Sequence, residues 1–526
     1  MAKVQAGATS MRIVWIILAV VAGVAVAVTL AAYSYGKFSE HALGPPSAAM
    51  AGGDTTVLDK RFGPLVASEG GKSGVAMIQA SLDAFAARAA SARLAGRSLD
   101  LMYYIWEFDL TGTLLAKEIL DAADRGVRVR LIIDDATTHG SFAYLALASH
   151  PNIELRLFNP TQARDNTIRR GFEMALRFFT ITRRMHNKAW IADGQVAIVG
   201  GRNIGDDYFD ASESSNFSDL DAALFGPAVA QTAAIFDTFW NSRVVLPMES
   251  LAGTRKPDLP GLRAQIDKTL ASGAAQPYLD RVREEVSASA FFTKTPVYWS
   301  DDVEVLSDPP DKALDEDHQN WLLSEIGRVM STATAQVEIT APYFVPGDFG
   351  SDYLLDLTKK GVKVAVLTNG LASTDPFPLA FAGYAGYRAP LLAGGMTLYE
   401  LQPQLKPTDT SLFGIGTIGL HAKHFTVDDR AGFIGSFNFD PRSASLNTEM
   451  GVLFENIGLV PQMNDLFARQ TAPGSSFHLT LDAKGALQWS GAEDGAPVTF
   501  DHEPETSPFR RALAWSLGWL PVESQL

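Results

Sequence analysis

Two short segments of the 526-residue chain carry an imidazole, an ammonium, a carboxylate and a carboxamide at the same spacing. The first is His186-Asn187-Lys188-Ala189-Trp190-Ile191-Ala192-Asp193, followed by Gly200-Gly201-Arg202-Asn203. The second is His421-Ala422-Lys423-His424-Phe425-Thr426-Val427-Asp428, followed by Gly435-Ser436-Phe437-Asn438. The His, Lys, Asp, Gly and Asn of the first recur 235 positions later in the second. One such motif is weak evidence; two in register are not a coincidence. On a strand, His and Lys two residues apart project to the same face, while Ala189 and Ile191 turn to the other and can enter a core. Two such edges facing each other would set two histidines, two lysines and two asparagines around one pocket. That set suits a phosphodiester: one imidazole attacks phosphorus, the other protonates the leaving alkoxide, and the cations and amides bind the phosphate oxygens. No metal or other cofactor is required, because the lysines supply the charge stabilisation.

The elements that must hold these residues repeat on the same offset. RGVRVRLIIDD at 125–135 and KGVKVAVLTNG at 360–370 lie 235 residues apart, which predicts a duplicated domain. Helical and strand patterns alternate, the signature of an α/β layer fold. Helical spacing is expected over Gly74–Ala95, a strand over Leu99–Ile105, a helix over Leu114–Ala123 capped by Asp109 or Thr111, and a strand over Val127–Ile133. The second copy predicts a helix at Trp321–Met330, a strand at Val337–Ala341, a helix at Tyr353–Leu357 and a strand at Val362–Leu367. A hairpin is expected around Asp482-Ala483-Lys484-Gly485, and an amphipathic C-terminal helix carries Phe509, Leu513, Leu517 and Leu520. The organisation read from the sequence is an N-terminal tail at 1–12, an anchor at 13–33, a Gly/Pro/Ser/Ala-rich tether at 34–72, a first lobe at 73–247, a connector at 248–300, a second lobe at 301–470 and a C-terminal hairpin and interfacial helix at 471–526.

From Ile13 to Ala32 runs an unbroken apolar stretch of about 30 Å as a helix, the thickness of a bilayer core. Its length exceeds a signal-peptide core and reads as an uncleaved transmembrane helix. Lys3 and Arg12 precede it, which favours a cytoplasmic N-terminus and an exported body. The 59 acidic against 44 basic residues give a net charge of −15, which argues against a general nucleic-acid binder. With no cysteine, disulfides, thiolate metal sites and a cysteine nucleophile are excluded.

The paired motifs, together with YYIWEFDLTG at 103–112, FSDLDAALFGPAV at 217–229 and IGSFNFDPRSASLNTEMG at 434–451, resemble the phospholipase D superfamily, and within it the bacterial cardiolipin synthases of the C type. The resemblance covers about residues 75–526. It implies two similar lobes of mixed sheet flanked by helices, related by a pseudo-twofold axis, with the site between them and a covalent phosphohistidine on the pathway. Carried onto this chain, it makes His186 the nucleophile and His421 the general acid and later base. Lys188, Lys423, Asn203 and Asn438 would bind phosphate, and Asp219 and Glu449 would orient the histidines, with Asp221 as a rival to Asp219. Asp193 and Asp428 complete the catalytic motifs, more as braces of the turn than as substrate contacts. The implied substrates are phospholipids in a bacterial inner membrane: a phosphatidylethanolamine or phosphatidylglycerol donor and a phosphatidylglycerol acceptor, with a periplasmic body. A hydrolase releasing phosphatidic acid would use the same groups; a nuclease or a non-catalytic membrane scaffold fits less well.

Other features have plainer readings beside functional ones. His424 could pair with His421 on a metal, but residues three apart on a strand face opposite sides, and core packing is expected. Asp134, Asp135 and Glu107 suggest capping or solvation over catalysis. Tyr343-Phe344 occupies the repeat position of Tyr104 and could wall the pocket. Arg164, Arg169, Arg170, Arg177, Arg183 and Arg184, interleaved with Phe172, Met174, Leu176, Phe178 and Phe179, could form a rim facing anionic headgroups.

Overall fold

Both motif strands end in the same backbone device: a carboxylate in a left-handed turn that collects amides from the start of a neighbouring strand. Asp193 (φ 53°) accepts from the N–H groups of Gly96, Arg97 and Ser98 at 2.9, 2.8 and 3.0 Å. Asp428 (φ 54°) accepts from Thr334, Ala335 and Gln336 at 3.0, 2.8 and 2.8 Å. These contacts lock the motif hairpin onto the sheet. The computed structural model describes residues 15–16, 18–30, 43–136, 138, 142–161, 164, 167–212, 215–252, 255–273, 275–285, 295–314, 321–374, 378–407, 415–520 and 523–525.

The first ten strands are β1 (Ser73–Ile78), β2 (Ser98–Tyr103), β3 (Arg128–Asp134), β4 (Ile153–Phe158), β5 (Ala189–Ala192), β6 (Val196–Gly200), β7 (Ser215–Ser218), β8 (Asp221–Phe225), β9 (Val245–Pro247) and β10 (Tyr298–Ser300). The remainder are β11 (Val303–Ser307), β12 (Gln336–Thr340), β13 (Lys363–Asn369), β14 (Thr397–Leu401), β15 (Gln404–Pro407), β16 (Ile415–Leu420), β17 (His424–Val427), β18 (Ala431–Gly435), β19 (Met450–Glu455), β20 (Ser476–Leu481), β21 (Leu487–Glu493) and β22 (Ala496–Phe500). Among the described residues, the first sheet runs β10-β1-β8-β6-β5-β2-β3-β4-β9 and the second β11-β19-β18-β17-β12-β13-β14-β20-β21-β22. The stretch β8-β6-β5-β2-β3-β4 therefore repeats as β19-β18-β17-β12-β13-β14, with β2, β3 and β4, and β12, β13 and β14, parallel.

Each parallel step is bridged by a helix, as a parallel connection demands. Leu110–Asp124 links β2 to β3 and is capped by Asp109, whose carboxylate accepts from Gly112 N at 3.0 Å. Gly347–Lys359 links β12 to β13. Gly126 (φ 92°) and Gly361 (φ 90°) turn the chain from these helices into β3 and β13, a conformation that costs glycine nothing. The expected Gly74–Ala95 helix divides into β1 and the helix Ser81–Leu94, because pairing with β8 and β10 claims its first third. His186 and Lys188 also lie just ahead of β5, and His421 and Lys423 just ahead of β17, not within the strands themselves.

The lobes share an apolar core. Met185, Ala189, Ile191, Val199, Leu220 and Ala222 of the first are buried in one cluster with Ala422, Ile434, Met450, Val452 and Phe454 of the second. Two flanking segments are more structured than a tether and a connector. Within 34–72, Val57–Ser68 is a helix whose Leu58 and Phe62 are buried in the first lobe. Within 248–300, the helices Leu259–Leu270 and Gln276–Glu285 bury Leu262, Ile266 and Tyr278 there as well. The C-terminal hairpin is β20–β21; it extends the second sheet beyond β14. The helix Pro508–Leu517 docks through Ala514 and Leu517 and leaves Phe509 and Trp515 exposed, as is Trp519 just beyond it.

The anchor expected at 13–33 lies partly outside the described residues. Residues 15–16 and 18–30 are helical, with Trp15, Ile16, Leu18, Val20 and Val24 exposed. Among the described residues no helix is long and apolar enough to cross a membrane.

Bracing and catalysis separate by experiment. Asp193→Ala strands three backbone amides, that of Ser98 buried, so denaturant melts should register a loss of about 2 kcal/mol. Activity per folded molecule should fall less than about tenfold, whereas His186→Ala should lose nearly all of it.

Candidate active site

The histidine segments are clamped by the opposite lobe. His186 N donates to Thr448 O at 2.9 Å, and Thr448 N to Arg184 O at 2.9 Å. In mirror fashion, His421 N and Ala422 N both donate to Ser218 O, at 2.8 and 3.1 Å. The second clamp continues the parallel pairing of β16 with β7, so a strand from each lobe meets beside His421.

Each clamp ends one residue before a carboxylate. Glu449, next after Thr448, accepts from His186 Nδ1 at 2.8 Å; Asp219, next after Ser218, accepts from His421 Nδ1 at 2.6 Å. The carboxylates thus orient the histidines, and each does so across the lobe boundary. Asp221 has another role, pairing with the buried Arg88 and Arg202 at 2.9 and 3.4 Å. The two brackets differ in support. Glu449 also accepts from Ser436 Oγ at 2.5 Å and Ser443 Oγ at 2.8 Å. At the position of Ser436 the first lobe has Gly201, where a Cβ would lie 2.2 Å from Asp219 Oδ1, so the glycine makes room for the acid. With Nδ1 engaged, Nε2 of each ring has no hydrogen-bond partner among the described residues and is the nitrogen left for chemistry.

Lys188 Nζ donates to His186 O at 2.7 Å, and Lys423 Nζ lies 3.0 Å from His421 Nδ1. Both lysines are fully buried beside the rings. Asn203 Oδ1 accepts from Ile105 N at 3.2 Å while its Nδ2 donates to the Tyr208 hydroxyl at 2.9 Å, leaving one amide proton for a ligand. Asn438 is buried with its Oδ1 unpaired. Aromatic rings wall the site: Tyr104 stands edge-on to His186 at 5.4 Å, Tyr208 edge-on to His421 at 5.1 Å, and Phe217 tilts against His421 at 5.1 Å. Tyr208, Phe217, Ser436 and Ser443 were not singled out from the sequence as site residues. Their only signal was position inside the conspicuous strings around the motifs.

Burial pulls the His186 pKa down to about 4 and that of His421 to about 3, with the neighbouring lysines pushing the same way. Burial also drives Lys188 well below its usual value. For Glu449 and Asp219 burial acts upward, but the histidines and lysines outweigh it and hold both acids below the usual range. At rest each imidazole is thus paired through Nδ1 with a carboxylate, in surroundings that disfavour a second proton on the ring. An incoming phosphodiester anion supplies the charge that favours protonation of the ring and the lysine.

The remaining candidates fall elsewhere. Asp134 accepts from Met185 N at 2.8 Å and Arg184 at 3.3 Å, so it fixes the backbone just before His186. Asp135 accepts from Thr161 N at 2.8 Å and pairs with Arg164. Glu107 is largely exposed, and its pKa is raised by partial desolvation of the carboxyl and by Asp207 and Asp206. His424 is buried in β17 with Nε2 unpaired, as a core residue. The bridge of Phe344 with Phe439 matches that of Trp106 with Ile204, so Phe344 is a core counterpart of Trp106 and not of Tyr104. The basic rim is largely internal: Arg177 pairs with Glu173 at 2.8 Å, Arg183 donates to Lys312 O at 2.9 Å, and Arg164 and Arg184 hold the two aspartates. Ile168 and Met174 are exposed, while the side chains of Arg169, Phe172, Leu176, Phe178 and Phe179 lie outside the described residues.

A depressed histidine pKa has a definite sign. The unfolded imidazole binds a proton near 6.5 and the folded one only near 4, so His186 opposes folding progressively as pH falls through that window. Nitrogen-15 NMR at pH 6 should find both site histidines neutral with the proton on Nδ1. Glu449→Gln, which keeps volume but removes the charge, should lower turnover by about 10³-fold.

Residues 90–240 and 326–471 match the family described as "Cardiolipin synthase, PLD-like domain". Cardiolipin synthase C of Escherichia coli K12 is 38% identical over 472 residues, covering 88% of this chain and 98% of that one. An uncharacterized protein of Helicobacter pylori 26695 is 30% identical over 475 residues, covering 88% of this chain and 91% of its own. Among solved structures, the phosphatidylserine synthase of Haemophilus influenzae Rd KW20 aligns with a TM-score of 0.53 at 15% identity, over 84% of this chain and 92% of that one. At that identity the likeness is one of fold. The two matched regions each bring one His-Lys-Asp motif, and identity extends over nearly the full length of an enzyme of this kind: the chain belongs to the cardiolipin synthase family of phospholipase D-like phosphatidyltransferases.

Proposed function

We propose that the protein is a cardiolipin synthase working through a phosphohistidine. His186 Nε2 attacks the phosphorus of a donor, phosphatidylethanolamine or phosphatidylglycerol. The bond from phosphorus to the headgroup oxygen breaks, and His421, which takes up a proton on Nε2 when the phosphodiester anion binds, delivers that proton to the departing ethanolamine or glycerol. His421 Nε2 then takes the proton of a free hydroxyl on phosphatidylglycerol, whose oxygen attacks phosphorus and expels His186. Cardiolipin and a free headgroup alcohol are the products, and the enzyme returns to its starting state. Lys188, Lys423, Asn203 and Asn438 hold the non-bridging oxygens and offset the charge that builds on them.

The observation that carries this reading is the pair of carboxylate–imidazole contacts at 2.8 and 2.6 Å, which aim two chemically equivalent rings into one site from opposite lobes. The membrane setting is part of the proposal: residues 13–33 anchor the chain in a bacterial inner membrane with the body on the periplasmic side. The exposed Phe509 and Trp515 of the C-terminal helix, with Trp519 just after it, would rest at the lipid interface.

Purified protein in mixed micelles with defined labelled donor and acceptor lipids should form cardiolipin, and His186→Ala should reduce it at least about 10³-fold. Wild-type protein that releases only phosphatidic acid would make it a hydrolase and overturn the synthase reading.

A further inference from the structure

The lobes match in strand order but not in what fills the space beyond their asparagine loops. In the first lobe that space is latched shut. Asp206 N donates to Asp109 Oδ2 at 2.6 Å, and the Asp206 carboxylate accepts from Leu110 N and Thr111 N at 3.3 and 2.7 Å. Tyr208 and Phe209 then pack into the core. The matching bridge in the second lobe, Phe344 with Phe439, opens onto something else. There Asp440 turns away to cap the short helix Pro441–Ser445, accepting from Ser443 N at 2.7 Å. Beside it lies a cavity of about 560 Å³, lined mainly by apolar groups that include Ile326, Met330, Phe349, Tyr353, Phe437 and Phe439.

Three observations describe an occupant. Phe437 and Phe439 flank Asn438 in the chain, so the loop that carries a phosphate-binding candidate also lines the cavity. Its size falls in the range of about 300–1,000 Å³ usual for small-molecule sites. Phe349, at 79% exposure, puts an aromatic ring in water on its lining. Resting on the functional reading above, we propose that this cavity seats an acyl chain of the phospholipid whose phosphate is held at His186 and His421. The second lobe then grips the lipid tail at a position where the first is latched shut. Chain length becomes a determinant of turnover, at roughly fourfold in kcat/KM per methylene buried.

Gly327 tests this without touching the catalytic groups. It lines the cavity from the helix Leu322–Met330, and a Cβ added there meets nothing within 4 Å. Gly327→Trp should fill the space, and Gly327→Ala should leave it open. With dioleoyl phosphatidylglycerol in micelles, Gly327→Trp should lose at least about tenfold in kcat/KM, while with dihexanoyl phosphatidylglycerol it should stay within about twofold of wild type. Equal losses on both lipids, or no loss on either, overturn the proposal. A second measurement does not depend on turnover: His186→Ala protein is irradiated with a long-chain phosphatidylglycerol bearing a diazirine at the acyl terminus. Labelling should map to 322–330 or 345–354 and vanish in the Gly327→Trp background; labelling confined to other segments contradicts it. If wild type transfers no phosphatidyl group from either lipid, the functional reading fails separately, and the label still reports on the seat.

Discussion

Everything in the site depends on two buried hydrogen bonds that cross the boundary between the lobes. A carboxylate sequestered from water costs several kcal/mol unless it is paired, and here the partner of each acid is the histidine of the other half. That single constraint explains why the lobes share an apolar core: Ala189 and Val199 must pack against Ile434 and Val452 for Glu449 to reach His186 and Asp219 to reach His421. Either lobe alone would hold a histidine without its orienting acid and an acid without its base. The duplication is therefore a division of one site between two copies, and neither copy keeps a complete one.

Symmetry of backbone coexists with asymmetry of chemistry. Both tyrosines that stand against the imidazoles, Tyr104 and Tyr208, come from the first lobe. The serines that bracket an acid, Ser436 and Ser443, come from the second, because Gly201 cannot supply a hydroxyl and is needed for space. A reaction in which one ring forms a bond to phosphorus and the other moves a proton asks for such differences. Glu449, held by three donors, gives His186 the more rigid mounting of the two.

Much of this was legible in the sequence, for a physical reason. The 235-residue offset fixes the repeat, and residues proposed to meet phosphate have few chemical substitutes, so His186, Lys188, His421, Lys423 and the two asparagines stand out by type and spacing. Asp219 and Glu449 were identified through resemblance, but the crossing between lobes was not, because spacing along a chain carries no information about which half a side chain reaches. Parallel strands buried on both faces, such as β3 and β13, read correctly as apolar runs. β1 did not: its small residues fit either a helix or a strand, and pairing with β8 decided it. The arginine-rich stretch misled for a related reason. Charge density in sequence looks like surface, yet Arg164 and Arg184 are spent on the buried Asp135 and Asp134. The segments 34–72 and 248–300 read as linkers because their buried residues are few, although Phe62 and Ile266 are enough to dock their helices.

The division of labour between the two crossed pairs is open to a direct kinetic measurement. A phosphatidyl ester of p-nitrophenol needs no general acid, since its leaving group departs as a stable phenolate, so its pre-steady-state burst reports attack by the nucleophile alone. The account predicts that Asp219→Asn, crippled on natural donors, regains a burst within about tenfold of wild type, while Glu449→Gln remains slow. A burst restored in Glu449→Gln and absent in Asp219→Asn would reverse the roles of His186 and His421. Equal behaviour of the two variants would contradict the claim that each lobe's acid serves the other lobe's histidine in a distinct step.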